Sequence, residues 1–260
     1  MCRAVFFFML FLTGSLSAQV RVSKLVIKPK EIYNLDQSDI LVADTLIMMD
    51  SSKIVLNKLK SENFIRVKVA RFGNHCTIDG RGIDGQPGRN GLPGVTLTGP
   101  CLNGTPGRDG TRGLDGTRGI NLFMYLEKVT IKGQLMIDLT GGNGGRGGNG
   151  GNGGGGSSGT MHCFGGNGAK GGNAGQGANG GNGGVLTITV PKPQVLRDLI
   201  IANKISVSNI GGSAGLSGKG GYHGGAGLGP SKKNGKDGEP GADSTNGGSG
   251  AKGSLVIQAN

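Results

Sequence analysis

The residues of this chain best equipped for chemistry are two His-Cys pairs, His75-Cys76 and His162-Cys163, a third cysteine at Cys101, and three lysines, Lys232, Lys233 and Lys236, near Tyr222 and His223. Imidazole and thiolate are zinc ligands, and two such pairs would supply four of them if the fold brought them together. Neither pair has the short Cys-to-Cys or His-to-His interval of a zinc motif, so the preferred reading is structural. Cys101 and Cys163 each interrupt a regular glycine pattern, where the chain must turn, and a Cys101–Cys163 disulfide is expected. Cys76 ends a strand-like region and is left over. No Gly-Lys-Ser or Gly-Lys-Thr follows a glycine run, which excludes a nucleotide P-loop. No catalytic constellation is present, so the chain is read as a nonenzyme without cofactor or metal. The lysines, with Tyr222 and His223, suit contact with anionic carbohydrate or phosphate, the plain alternative being a solvated loop.

What must position these residues is a glycine frame. Glycine recurs at every third position from Gly82 to Gly94 and again from Gly104 to Gly119. Between Gly141 and Gly154 the repeat is Gly-Gly-X, and it continues from Gly165 to Gly184 with Ala169, Ala174 and Ala178 standing in for glycine. Single or mixed frames run from Gly211 to Gly227 and from Gly235 to Gly253. A period of three fits neither an α-helix nor a strand but matches polyproline II, which has three residues per turn. At ~3.1 Å per residue, residues 141–154 would span roughly 40 Å and residues 165–184 roughly 60 Å. Turns at residues 95–103, 157–164 and 228–234 would pair about six such passes, with the doubly bare 141–184 segment in the middle, its Asn edges facing outward or bonded to turns, and the charged 82–119 segment at a margin.

Strand-like sequence precedes and interrupts the frame. In residues 64–69, Ile65, Val67 and Val69 alternate with Arg66 and Lys68, the pattern of a half-buried strand. Residues 44–80 resemble β-solenoid rungs with corners at Asp50-Ser51-Ser52 and Gly73-Asn74. Further strands are expected within residues 121–140, 185–210 (residues 199–201 among them) and 254–258. The expected fold class is therefore mostly β plus polyproline II. It comprises a short solenoid-like strand layer at residues 19–79 and, over residues 80–260, a single-chain bundle of about six polyglycine helices with interspersed strands. A collagen triple helix is disfavoured because the runs are short, broken by strands and poor in proline. Disorder is disfavoured by strict frame-keeping, and a calcium-binding β-roll by the absence of Asp from Gly141 to Gly184.

Residues 1–18 read as a secretory leader: Arg3, an apolar run at residues 5–12, and small residues Ser15, Ser17 and Ala18 before a cleavage point. The apolar run is too short to span a bilayer, which needs ~20 residues. The formal charge is +12, and loss of the leader removes one positive charge with Arg3. Such a balance favours anionic partners or, as the plain alternative, serves the solubility of an extended glycine-rich surface.

The leader, the strand region closing in Cys76-Thr77-Ile78-Asp79-Gly80 and the glycine frames beyond it together resemble the secreted, collagen-like glycine-rich proteins of Gram-negative bacteria, Bacteroidetes in particular. The glycine part is also similar to the polyglycine II bundles of springtail antifreeze protein and phage tail-fibre adhesin tips. The resemblance implies a compact single-chain bundle and leaves function open, since that scaffold serves ice binding, receptor binding and display. The expectation is a noncatalytic, monomeric extracellular or cell-surface structural and adhesive protein that binds acidic polysaccharide or other surface proteins rather than nucleic acid. The alternatives are an accessory subunit of an outer-membrane or surface complex and a specific receptor-tip or ice-binding module.

Overall fold

Alternation of apolar and polar residues builds strands along the whole chain, not only ahead of the glycine. The computed structural model describes residues 19–259, and the expected leader, residues 1–18, lies outside them. One parallel sheet contains β1 (Gln19–Ile27), β3 (Ile40–Met48), β5 (Glu62–Phe72), β7 (Asn121–Ile131), β9 (Leu186–Val190) and β11 (Leu255–Ala259) in that spatial order. A second parallel sheet contains β2 (Ile32–Asn34), β4 (Lys53–Val55), β6 (Cys76–Asp79), β8 (Leu135–Asp138) and β10 (Ile205–Ser208). The chain alternates between the sheets, so each turn of the coil adds one strand to each. Inward residues of the two sheets form a single core. Leu41, Leu46, Ile65 and Leu122 from the first and Ile54, Ile78 and Ile137 from the second are wholly buried. Each such side chain contributes about 1.5–3 kcal/mol when fully buried, so the hydrophobic stabilisation resides in the sheets.

This architecture corrects the expected fold class. Regular secondary structure is two parallel sheets of eleven strands with one α-helix among the described residues, and the glycine passes are assigned neither helix nor strand. The strand layer is not short or confined to residues 19–79, because β7, β9 and β11 extend the same sheet beyond the first glycine run. Two local expectations also change. Residues 199–201 belong to the helix α1 (Pro193–Ile201), where Pro193 occupies the first turn and Leu196 is buried while Leu199 and Ile200 pack on the core. Proline is tolerated there because that N–H has no intrahelical acceptor. In β5, Ile65 and Val67 are buried as expected, but the next buried residue is Ala70 rather than Val69. The pairing skips Ser23, Asp44, Lys68 and Glu127 at one level of four neighbouring strands. All four strands thus change phase together, and their cross-strand register is preserved.

Three glycine hairpins replace what are short corners elsewhere. The connections β2 to β3 and β4 to β5 are short, whereas residues 80–120, 139–185 and 209–254 leave the second sheet and return to the first. Outgoing passes lie parallel to one another, and each return pass runs antiparallel to its outgoing partner. Glycine N–H groups join them throughout: Gly88 donates to Arg146, Gly148 to Thr111, Gly147 to Leu216 and Gly175 to Gly148, at 2.7–2.9 Å. The 141–156 and 165–184 passes sit centrally, each bonded to four others. Glycine is required because a Cβ at most of these positions would fall inside a neighbouring carbonyl.

The Asn residues lie on outer edges, most of them exposed, but their side chains are tied to neighbouring passes rather than to turns. Asn143 Oδ1 accepts from Ser213 N–H, Asn149 from Lys219 and Asn179 from Gly248, at 2.7–2.9 Å. The Asn143 and Asn179 N–H groups in turn donate to Asp84 and Asp115 on the hairpin before. Side-chain oxygens therefore satisfy the backbone donors that glycine contacts leave over, and fix which triplets stand level.

Where the first hairpin leaves β6, Asp79 is bonded by Lys53 (2.5 Å), Lys58 (3.7 Å) and the Arg81 N–H (3.0 Å). Partial burial alone would raise its carboxyl, but the Lys53 bond, the Arg81 N–H and the Lys58 charge outweigh it and hold it below the usual range. A depressed carboxyl stabilises the fold above the unfolded value, about pH 4, and this contribution is lost as pH falls through the lower folded value. Urea unfolding at neutral pH and near pH 2 should accordingly show Asp79→Asn less stable than wild type at neutral pH and much closer to it in acid. An equal gap at both would mean that the charge itself contributes nothing.

Candidate functional site

The hairpin tips bring together most of the residues singled out by type. Cys101 and Cys163 are joined in a disulfide with Cα atoms 6.1 Å apart, linking the first tip to the second. Cys101 N–H also donates to Ser158 O (2.8 Å), and Gly159 N–H to Leu228 O (2.8 Å), which ties the second tip to the third. Lys233 reaches across the same junction, its Nζ donating to Met161 O at 3.0 Å. That lysine is half-buried and serves as a strut. Lys232 and Lys236 are exposed, with Lys232 in a tight turn at φ 61°. Tyr222 and His223 are exposed too, but stand further down the 211–227 pass, where Tyr222 N–H is held by Asn152. The basic cluster thus divides into two ammonium groups at the tip without a side-chain partner among the described residues, one strut, and an aromatic pair below.

The two His-Cys pairs do not meet. Cys163 is at a tip, whereas Cys76 is a free thiol buried between the sheets, 3.3 Å from Met49 O. Burial pushes that thiol above its usual range, opposed in part by the Ser52 hydroxyl. No group of three or more His, Cys, Asp or Glu side chains among the described residues could hold a metal ion.

On the passes themselves, acidic side chains have structural partners. Asp84, Asp109, Asp115, Asp237 and Asp243 each accept a backbone N–H from a neighbouring pass. Arg112 pairs with Asp115 (2.6 Å) and Arg81 with Asp84 (3.3 Å), whereas Arg89, Arg108, Arg118 and Arg146 make no ion pair among the described residues. The margins therefore present free guanidinium groups beside carboxylates already engaged by the backbone.

A second constellation lies on the outer face of the larger sheet, where sequence reading gave no site. Arg21 of β1, Val42 of β3, Arg66 of β5 and Tyr125 of β7 are consecutive partners in one cross-strand row. They line a groove of about 560 Å³. Its next row holds Asp44, bonded to Lys68 at 2.8 Å, with Glu127 beyond. On the other side Phe64 and Phe123 stack with ring centroids 5.0 Å apart. The alternation around Arg66 was the available signal. It shows that Arg66 faces away from the core, but not which residues of other strands stand beside it.

Among the described residues no helix is long and apolar enough to cross a membrane. No protein-family model, curated protein or solved structure matches this chain.

Proposed function

We propose that the protein is a noncatalytic structural and adhesive protein of the cell surface or extracellular space, and that its glycine hairpins form a stiff spacer presenting a basic tip to anionic surface material, acidic polysaccharide above all. The observation that carries this reading is the cross-tying of all three tips, by the disulfide, by backbone bonds and by Lys233. A spacer with hydrogen bonds at nearly every triplet and a clamped end holds Lys232 and Lys236 at a defined place far from the sheets. The leader-like residues 1–18, the disulfide and the positive balance agree with an oxidising, extracellular setting. Nucleic acid is disfavoured because secretion removes the protein from it and the tip offers few aromatics for base stacking.

Retention on an immobilised acidic glycan, followed across a salt series, tests this. Binding should weaken as salt rises, since exposed charges more than ~8 Å apart are largely screened at 0.15 M. The variant Lys232→Ser/Lys236→Ser, which spares the Lys233 strut, should elute at lower salt than wild type. Coelution would remove the tip lysines from the function. Absence of any wild-type retention would reduce the positive charge to a role in solubility.

Membership of a surface complex is the second reading, favoured by β11, the edge strand of the larger sheet among the described residues, where Leu255 and Val256 are 39% and 41% exposed. An exposed strand edge is a template for another chain. A single monomeric species in sedimentation at micromolar concentration would leave the first reading alone.

A further inference from the structure

The outer groove of the larger sheet contains more ligand chemistry than the tip. Arg21 and Arg66 are both exposed, and neither makes an ion pair or a side-chain hydrogen bond among the described residues. Arg21 is close enough for its charge to act on the Asp44 carboxylate, but neither guanidinium is held by a hydrogen bond, so both are available to an anion. Their strands are separated by β3, so the two stems stand about 10 Å apart, two strand spacings. The small apolar Val42 between them leaves an open floor. Tyr125, 38% exposed, stands one strand spacing beyond Arg66 and lines the same groove.

The neighbouring row has the opposite character. Asp44 and Lys68 form an ion pair at 2.8 Å, with Glu127 on the far side of the lysine. The Lys68 bond and charge hold the Asp44 carboxyl below its usual range, and the same bond with the Asp44 charge raises the Lys68 ammonium. Both groups are therefore ionised at neutral pH. This wall offers carboxylate oxygens that accept hydrogen bonds, opposite a wall of guanidinium donors. The carboxylates disfavour a purely anionic ligand such as phosphate but match one that also brings hydroxyl donors.

Three demands follow for an occupant: anionic groups spaced at about 10 Å to meet both arginines, hydroxyls for Asp44 and Glu127, and a flat C–H face for Tyr125. A chain of acidic sugars meets all three, since carboxylates, hydroxyls and the apolar face of a pyranose occur together in each unit. We propose that this groove is a binding site for an acidic oligosaccharide, with uronate carboxylates on Arg21 and Arg66, sugar hydroxyls on Asp44 and Glu127, and one pyranose ring on Tyr125. The site rests on the reading of the protein as a binder of acidic glycans, and places the specific contact on the sheet rather than at the tip. The tip lysines supply long-range attraction, and the groove supplies recognition of the sugar.

The test is titration of the full mature chain with a short oligogalacturonate, followed by calorimetry and by backbone amide shifts. Its methyl ester, which keeps the hydroxyls and ring but loses the charge, is the first control, and an oligoadenylate of matching charge is the second. Shifts should cluster around Arg21, Arg66 and Tyr125, and the ester should bind much more weakly. Arg66→Gln and Tyr125→Ala, both exposed positions expected to keep the wild-type melting temperature, should each weaken oligogalacturonate binding, Arg66→Gln by about tenfold or more. Lys232→Ser/Lys236→Ser should leave the short ligand's affinity nearly unchanged. Shifts confined to the tip, or unchanged affinity in both groove variants, would overturn the groove while leaving glycan binding intact. Tighter groove binding of oligoadenylate would overturn the ligand class. No binding of oligogalacturonate together with no retention on the glycan column would overturn both readings.

Discussion

Replacement of Cys101 and Cys163 by serine is expected to lower stability by about 4 kcal/mol, the chain-entropy contribution of a cross-link closing a long loop; the two cysteines are 62 positions apart. For a chain of this size that corresponds to a fall in melting temperature of roughly 8–16 °C. The effect should be large because the bridge spans two hairpins whose ends lie far from the hydrophobic core between the sheets. Without it, the first tip keeps only bonds such as Cys101 N–H to Ser158 O and Ser157 N–H to Leu102 O. Cys76 provides a reporter: it is 0% exposed, so a thiol reagent should modify it only when the sheets open. Thermal melts of wild type and the double variant, with Cys76 labelling in parallel, check the prediction. A loss below about 1 kcal/mol would mean that the inter-pass bonds close the loop unaided, and that the disulfide adds little to the chain-entropy effect.

The second large effect is expected at Gly148, which lies in the central 141–156 pass. Its N–H donates to Thr111 O (2.9 Å), its carbonyl accepts from Gly175 (2.8 Å), and a Cβ there would fall inside the Arg89 carbonyl. Three other passes therefore surround this one residue, and none can withdraw without breaking its own hydrogen bonds. Gly148→Ala should destabilise by about 3–5 kcal/mol. That figure combines ~1–3 kcal/mol for an overpacked interior with ~1 kcal/mol for each of two strained bonds. Gly225 is the matched control. It belongs to the same kind of frame, yet a Cβ there meets nothing within 4 Å, so Gly225→Ala should change stability by no more than about 0.5 kcal/mol. Chemical unfolding of both variants decides the matter. Similar losses at the two positions would show that glycine acts here through chain entropy rather than close backbone approach.

These two positions show how far the sequence could be read. Glycine spacing announced where backbones approach, and breaks in that spacing at Cys101 and Cys163 announced the turns and the disulfide. Both signals are local, and both follow from steric limits that hold whatever the rest of the fold does. The same local logic overweighted the glycine tracts. It divided the chain into a short strand layer at residues 19–79 and a glycine bundle with interspersed strands over residues 80–260, although the strands at residues 121–131, 186–190 and 255–259 continue the sheet begun by residues 19–27. Periodicity marks a strand but carries no information on which other strand it joins.

The sequence by itself determined the close-approach positions, the three tip turns, the Cys101–Cys163 pairing and the inward placement of Ile65 and Val67. Each depends on residue type and on short-range geometry. Only the tertiary structure decided the two-sheet coil, the bonding of Asn143, Asn149 and Asn179 to neighbouring passes, and the division of the lysines into Lys233 as strut and Lys232 and Lys236 as exposed charges. It alone also placed Arg21, Arg66 and Tyr125 in one row. These features depend on register between segments distant in sequence, which the core between the sheets and the backbone bonds between passes select together, and which no local pattern encodes.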